Sequence, residues 1–221
     1  MKFTAVAFDL DGTLYPNFSF YRRLVPFLLK EQRLMRAMGK ARAHLRKHGD
    51  YGSEFYRTQA GIMGKILGEN TEGVKEKAER LIYRGWEPIF KKVKLFPHVR
   101  ETLETFRKAG IKMGLLSDFP PEAKLENLEI SGYWDIVLCS ELIGRLKPDP
   151  TPFLHLAGLM GMETARILYV GNSFPYDVEG AGRVGMKTAF IRTGLKSLVP
   201  ARAGADFCFS DYRQLCDYVL N

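Results

Sequence analysis

Two aspartates one residue apart, Asp9 and Asp11, close an apolar run in AVAFDLDGTLYP, residues 5–16. Side chains at i and i+2 leave the same face of an extended strand, so both carboxylates converge on one ligand if strand geometry continues past Phe8. Two like charges that close are costly. They persist when a cation neutralises them or when one of them holds a proton. Gly12 permits a sharp turn and a close backbone approach, and Thr13 adds a hydroxyl and an N–H suited to an anion. Taken alone, DxDGT is equally the end of a strand followed by an ordinary Asp-Gly turn.

Three later sites offer complementary chemistry. The run LLSD ends in Ser117 and Asp118 and presents a small hydroxyl at a strand end, although a Ser-Asp pair there is commonly a helix N-cap. In RLKPDP, Pro148 and Pro150 stiffen the loop that carries Lys147 and hold its ammonium at a fixed spot, or leave it a surface lysine. The segment ILYVGNSFPYDVEGAGRVGM ends a strand at Gly171 and supplies Asn172, Ser173 and Asp177, oxygen donors that complete a hard-cation site or cap the following helix.

These residues need a scaffold that brings separate strand ends together. From residue 95 onward, apolar runs over 111–117, 135–139, 166–171 and 187–191 alternate with helix-period segments over 121–130, 151–161 and 177–184. A last strand is expected over 206–209, with Asp211 capping a helix that runs to Leu220. The alternation predicts an α/β fold: a Rossmann-like doubly wound parallel sheet with helices on both faces. Residues 15–93 read as helical, with Leu24, Phe27, Leu28, Leu34, Met35, Met38 and Leu45 at helical spacing and cations between them. Ser53 and Thr71 are the expected N-caps of two further helices, giving a small helical bundle. The expected division is a core of residues 1–14 and 94–221 with a helical cap of residues 15–93.

The net charge of +8 is concentrated in that cap, where 17 Lys/Arg stand against 8 Asp/Glu. Between Arg22 and Lys47 nine cations meet Glu31 alone, a pattern that favours an anion-facing surface over a merely solvated one. A phosphate-backbone binder is the rival reading of the same charge. At 221 residues and 46% hydrophobic content, the chain is long enough for one core with an insertion. It carries no cleavable leader or membrane-length apolar segment, so a cytoplasmic location is expected. Cys139, Cys208 and Cys216 are odd in number and form no CxxC pair, which fits packed thiols, and the four histidines are scattered. Phe18, Phe20 and Tyr21 suit either a hinge and cap floor or simple packing.

Together the blocks DLDGT, Ser117, Lys147 with KPDP, and GNSxxxD with GAGxxGM resemble, in order and at strand ends, the signature of the haloacid dehalogenase-like hydrolases. Most of these are Mg²⁺-dependent phosphatases. The resemblance implies Asp9 as the nucleophile that forms an aspartyl-phosphate and Asp11 as the acid that protonates the leaving oxygen and then deprotonates water. It implies Mg²⁺ on the Asp9 carboxylate, the Asp11 carbonyl and the Asn172 oxygen, with Ser117, Lys147 and amides near Gly12 and Thr13 holding phosphoryl oxygens. Asp177, beside Ser173, would orient Lys147 or metal-bound water.

The family usually has Asp where this chain has Asn172, which implies a working but weaker metal site. A helical cap between the first two blocks implies a small phosphorylated metabolite as substrate, held by cap cations as well as by the core. Dehalogenation is disfavoured because it gives Asp11 no role. A phosphomutase on the same core remains an alternative, as does a non-catalytic basic protein that binds nucleic acid, the latter disfavoured because every catalytic block is retained. The residues set no oligomeric state.

Overall fold

The computed structural model describes residues 3–193 and 204–221. Positions 1, 2 and 194–203 of the expected core lie outside the described residues. Six parallel strands, β1 (Ala5–Phe8), β2 (Lys112–Ser117), β3 (Ile136–Cys139), β4 (Ile167–Gly171), β5 (Lys187–Ile191) and β6 (Phe207–Phe209), form one sheet in the order β3-β2-β1-β4-β5-β6. The order runs one way from β1 and the other way from β4, the doubly wound arrangement predicted from the alternation.

Strand β1 is buried at every residue, and its alternation divides the core. Val6 and Phe8 join Leu115, Leu168 and Val170 on one face, while Ala5 and Ala7 join Leu116, Tyr169, Phe153 and Leu156 on the other. A continuous apolar strand is stable only when both faces are covered, and here helices cover both. The first cluster is closed by α6 (Val99–Lys108) and by α11 (Tyr212–Leu220), the second by α9 (Pro150–Leu159).

Residues 17–90 are largely helical, as expected. They comprise α1 (Asn17–Lys30), α2 (Gln32–His48), α3 (Phe55–Leu67), α4 (Thr71–Ala78), a π-helical turn (Glu79–Tyr83) and α5 (Arg84–Phe90). Leu34, Ala37, Met38, Ala41, Ala60, Met63, Val74 and Ile82 form a separate hydrophobic cluster, with Phe119 from the loop after β2 packed against it. Phe20 stacks on Phe90 with ring centres 4.9 Å apart, Tyr21 lines the large cavity between these helices and the sheet, and Phe18 is exposed.

Several local expectations need correction. Asn70, not Thr71, caps α4 by accepting from the Gly73 amide at 2.8 Å, so the helix starts one residue earlier than a Thr71 cap implies. Ser53 lies inside a 3₁₀ turn (Gly52–Glu54) ahead of α3, and that helix has no side-chain cap. The helix expected over 177–184 opens as a π-helical turn (Phe174–Val178) before α10 (Glu179–Arg183), because the Asp177 carboxylate is drawn back to the Asn172 and Ser173 amides. Helix α7 (Glu122–Asn127) is shorter than expected, and the chain turns at Glu129, whose φ is 55°.

Asp211 caps α11 as predicted, with Gln214 returning the bond in a capping box. Asp211→Ala removes the acceptor for the Arg213 amide and should cost about 1 kcal/mol in urea denaturation. The three cysteines are free. Among the described residues no helix is long and apolar enough to cross a membrane.

Candidate active site

In an open parallel sheet the strands' carboxyl ends form a crevice where the winding reverses. Here the reversal lies between β1 and β4, which places Asp9 beside Asn172. The Asp9 amide still donates to the Val170 carbonyl at 2.9 Å, so the strand continues to the first carboxylate. The chain then turns tightly, with the Thr13 and Leu14 amides both donating to the Leu10 carbonyl. Gly12 makes that turn at φ 86°, and a Cβ there would stand 2.0 Å from Asn172 Nδ2 and 2.3 Å from Asn17 Nδ2. Only glycine permits this contact.

Asp9 is buried, with Oδ1 accepting from Lys147 Nζ at 2.7 Å and Oδ2 from the Thr13 hydroxyl at 2.6 Å. Lys147 is buried as well and divides its ammonium between Asp9 and Asp177, each at 2.7 Å, with the Tyr169 hydroxyl at 3.3 Å. Burial pushes the Asp9 carboxyl up to about 7; Lys147 pulls against the rise, and Asp177 and Asp11 add to it. One cation shared by two carboxylates cannot fully offset their desolvation. For Lys147 burial alone would lower the ammonium, but Asp177 and Asp9 hold it well above the usual lysine range.

Asp177 fixes this arrangement from the other side. Its second oxygen accepts from the Asn172 and Ser173 amides at 3.1 and 2.9 Å, tying the loop after β4 to Lys147. Gly171 makes room for it, since a Cβ there would lie 2.3 Å from Asp177 Cβ. Asp11 faces the same cavity as Asp9, with Lys124 Nζ at 2.7 and 2.6 Å from its two oxygens and the Tyr15 hydroxyl donating to Oδ1.

The remaining expected residues are placed as follows. Ser117 is fully buried at the end of β2, its Oγ accepting from the Phe119 amide at 3.2 Å, and it does not line the cavity wall. The Thr13 amide is engaged with Leu10, so in this structure Thr13 acts on Asp9 through its hydroxyl. Asn172 and Ser173 line the cavity. Lys147 joins Pro148 through a cis peptide bond.

Four further residues that no motif singles out complete the site: Tyr15, Lys124 and, from the basic run of residues 22–47, Arg42 and Arg46. Arg46 reaches from α2 to donate to the Lys147 carbonyl at 3.1 Å and to Asp118 Oδ2 at 2.8 Å. Arg42, one turn earlier, is buried, pairs with Glu141, and lies over the Phe119 ring with its guanidinium 3.9 Å from the centroid. Asp118 accepts from the Lys147 amide at 3.1 Å; burial would raise it, but Lys147, Arg42 and Arg46 hold it below the usual carboxylate range. The basic character of residues 22–47 is therefore mostly not directed at the site. Of its nine cations only Arg42 and Arg46 line the cavity, while Arg22, Lys30, Arg33, Arg36, Lys40 and Lys47 are exposed.

A hard divalent cation suits the donors at this rim: the Asp9 carboxylate, the Asp11 carbonyl and the Asn172 amide oxygen are all oxygen ligands, and Gly12 leaves the approach beside Asn172 clear. Among the described residues no three His, Cys, Asp or Glu side chains cluster as metal ligands, as follows when one donor is an amide and another a main-chain carbonyl. The geometry can therefore present a buried carboxylate to an electrophile, hold anionic oxygens with Lys147, and exchange a proton through Asp11.

A family profile described as haloacid dehalogenase-like hydrolase matches residues 3–185. A phosphoglycolate phosphatase of Aquifex aeolicus is 28% identical over 211 residues, 88% of this chain and 89% of the relative. A glyceraldehyde 3-phosphate phosphatase of Methanopyrus kandleri is 29% identical, over 86% of this chain and 84% of the relative. A crystal structure of a HAD phosphatase from Thermococcus onnurineus superposes with a TM-score of 0.67 at 24% identity, covering 98% of each chain.

Proposed function

Since the chain belongs to the haloacid dehalogenase-like hydrolases, we propose that it is a Mg²⁺-dependent phosphatase of a small phosphorylated metabolite, working through an aspartyl-phosphate on Asp9. The observation that carries this reading is a buried Asp9, held between Lys147 and the Thr13 hydroxyl, in one cavity with Asp11. Residues 15–93 act as a cap over a core formed by residues 1–14 and 94–221. The two phosphatase relatives support the reaction class.

Thr13 and Lys147 aim an Asp9 oxygen at phosphorus, opposite the departing alkoxide. Asp11, fixed by Lys124 and Tyr15, protonates the leaving oxygen and then removes a proton from the water that opens the acyl-phosphate. The Ser117 hydroxyl accepts from the Phe119 amide, so its own proton is left to donate to a phosphoryl oxygen once the wall that covers Ser117 opens. Lys147 takes a second phosphoryl oxygen by giving up its longest contact, the one to Tyr169. Mg²⁺, held by Asp9, the Asp11 carbonyl and Asn172, would neutralise the repulsion between carboxylate and phosphate.

A phosphate-release screen over phosphorylated metabolites with Mg²⁺, run on the wild type and on Asp9→Asn, tests this. Equal signals from the two proteins would overturn it, and a rearranged phosphosugar without free phosphate would make the enzyme a mutase. Asn172→Asp restores a charged ligand and should lower the Mg²⁺ concentration for half-maximal activity by about tenfold. An unchanged or raised requirement, read from a Mg²⁺ titration, contradicts Asn172 as a ligand.

A further inference from the structure

The cavity above Asp9 has three properties that bear on what leaves with the alkoxide. Its volume is about 1310 Å³, beyond the roughly 300–1,000 Å³ usual for small-molecule sites and far more than a two-carbon acid fills. Its exposed outer wall carries six glutamates, Glu72, Glu76, Glu79, Glu87, Glu122 and Glu126, against two cations, Lys75 and Arg84, the latter paired with Glu79, so it is net negative although the chain as a whole carries a net +8. Such a rim repels a second anion on the substrate.

The third property lies deeper, where two buried cavity residues each have a polar atom without a hydrogen-bond partner: Arg42 Nη2, a donor, and Gln59 Oε1, an acceptor. Gln59 is oriented by its other amide atom, which donates to the Tyr83 hydroxyl at 2.9 Å. The Arg42 charge is already matched by Glu141 and, at 3.7 Å, by Asp118. What Arg42 offers a ligand is thus an N–H group and not an unneutralised cation for a carboxylate. A donor and an acceptor together complement a hydroxyl group, which both gives and takes a hydrogen bond.

We infer that the substrate's leaving group is neutral and multiply hydroxylated, a sugar or polyol and not a carboxylic acid, with Gln59 and Arg42 reading its hydroxyls. The inference rests on the phosphatase reading above. It is tested by measuring kcat/KM with Mg²⁺ for glucose 6-phosphate, ribose 5-phosphate, sorbitol 6-phosphate, their monodeoxy analogues, 2-phosphoglycolate and p-nitrophenyl phosphate. The best sugar or polyol phosphate should exceed 2-phosphoglycolate by about tenfold or more, and removal of one of its hydroxyls should lose about tenfold.

Gln59→Met should erase the loss on deoxygenation, whereas Gln59→Glu, which keeps an acceptor oxygen, should retain it. Persistence of the preference in folded Gln59→Met removes Gln59 from the assignment. Turnover of p-nitrophenyl phosphate with 2-phosphoglycolate equal to or better than every sugar or polyol phosphate overturns the inference and leaves the phosphatase reading standing. No turnover of any compound overturns both. The wild-type panel decides the substrate class even if a variant fails to fold.

Discussion

Asp9→Asn should lower kcat for phosphate release by about ten-thousand-fold or more, because an amide oxygen neither attacks phosphorus at a useful rate nor leaves a hydrolysable acyl-phosphate. The same change should stabilise the metal-free protein. Burial raises the folded-state pKa of Asp9 from 3.8 to about 7, so the folded chain holds a proton there that the unfolded chain has released. Between pH 4 and 7 the folded state therefore binds more protons than the unfolded one, and stability falls as pH rises. The loss is complete above the folded pKa and is on the order of 4 kcal/mol. Asn presents its oxygen to Lys147 and its NH₂ to the Thr13 hydroxyl, keeping both contacts without the charge. Melting curves in EDTA should show the variant and wild type alike near pH 4 and the variant more stable at pH 8. A variant less stable than wild type at pH 8 would contradict this account.

Lys147→Met should be the most damaging single change to the fold of the site. It leaves Asp9 and Asp177, both buried and both 2.7 Å from the lost ammonium, without their shared cation. Removing one member of a buried ion cluster costs about 3–5 kcal/mol, so the urea midpoint should drop accordingly, and phosphate release should fall by at least a thousandfold. Lys147→Arg should rescue neither. The guanidinium is a planar fork, and the site offers three acceptors converging on a single point, Asp9, Asp177 and Tyr169. Recovery of activity in Lys147→Arg would show that charge alone, without the convergent geometry, is what the position supplies.

The sheet is legible in the sequence because each of β1, β2, β4 and β5 is an almost unbroken apolar run, the mark of a parallel strand covered on both faces. Helix α6 is missing from the sequence expectation. Its buried face is Val99, Thr102, Leu103 and Phe106, short and interrupted by a threonine, and it is entered through His98 at φ 64° with no capping side chain to announce it. Of the site, Asp9, Asp11, Lys147, Asn172 and Asp177 are readable because they belong to short motifs at strand ends. Lys124 and Arg46 are not, because they reach Asp11 across 113 positions and Asp118 across 72, and no local spacing encodes such contacts. The cap's charge misleads for the same reason. A count of lysines and arginines does not tell which face of α2 turns toward the sheet, and only the i, i+4 pair Arg42 and Arg46 does so.

The Tyr212 hydroxyl at the start of α11 donates to the Thr13 carbonyl at 2.6 Å, joining positions 199 apart. The turn that carries the two aspartates is thus latched by a helix translated 199 positions after it. During synthesis the first strand and its carboxylates leave the ribosome early, but their supporting turn lacks that bond until residue 212 emerges. The nascent chain gains its finished active centre only after residue 212 has left the ribosome, and a break in that helix reaches chemistry encoded 199 positions earlier.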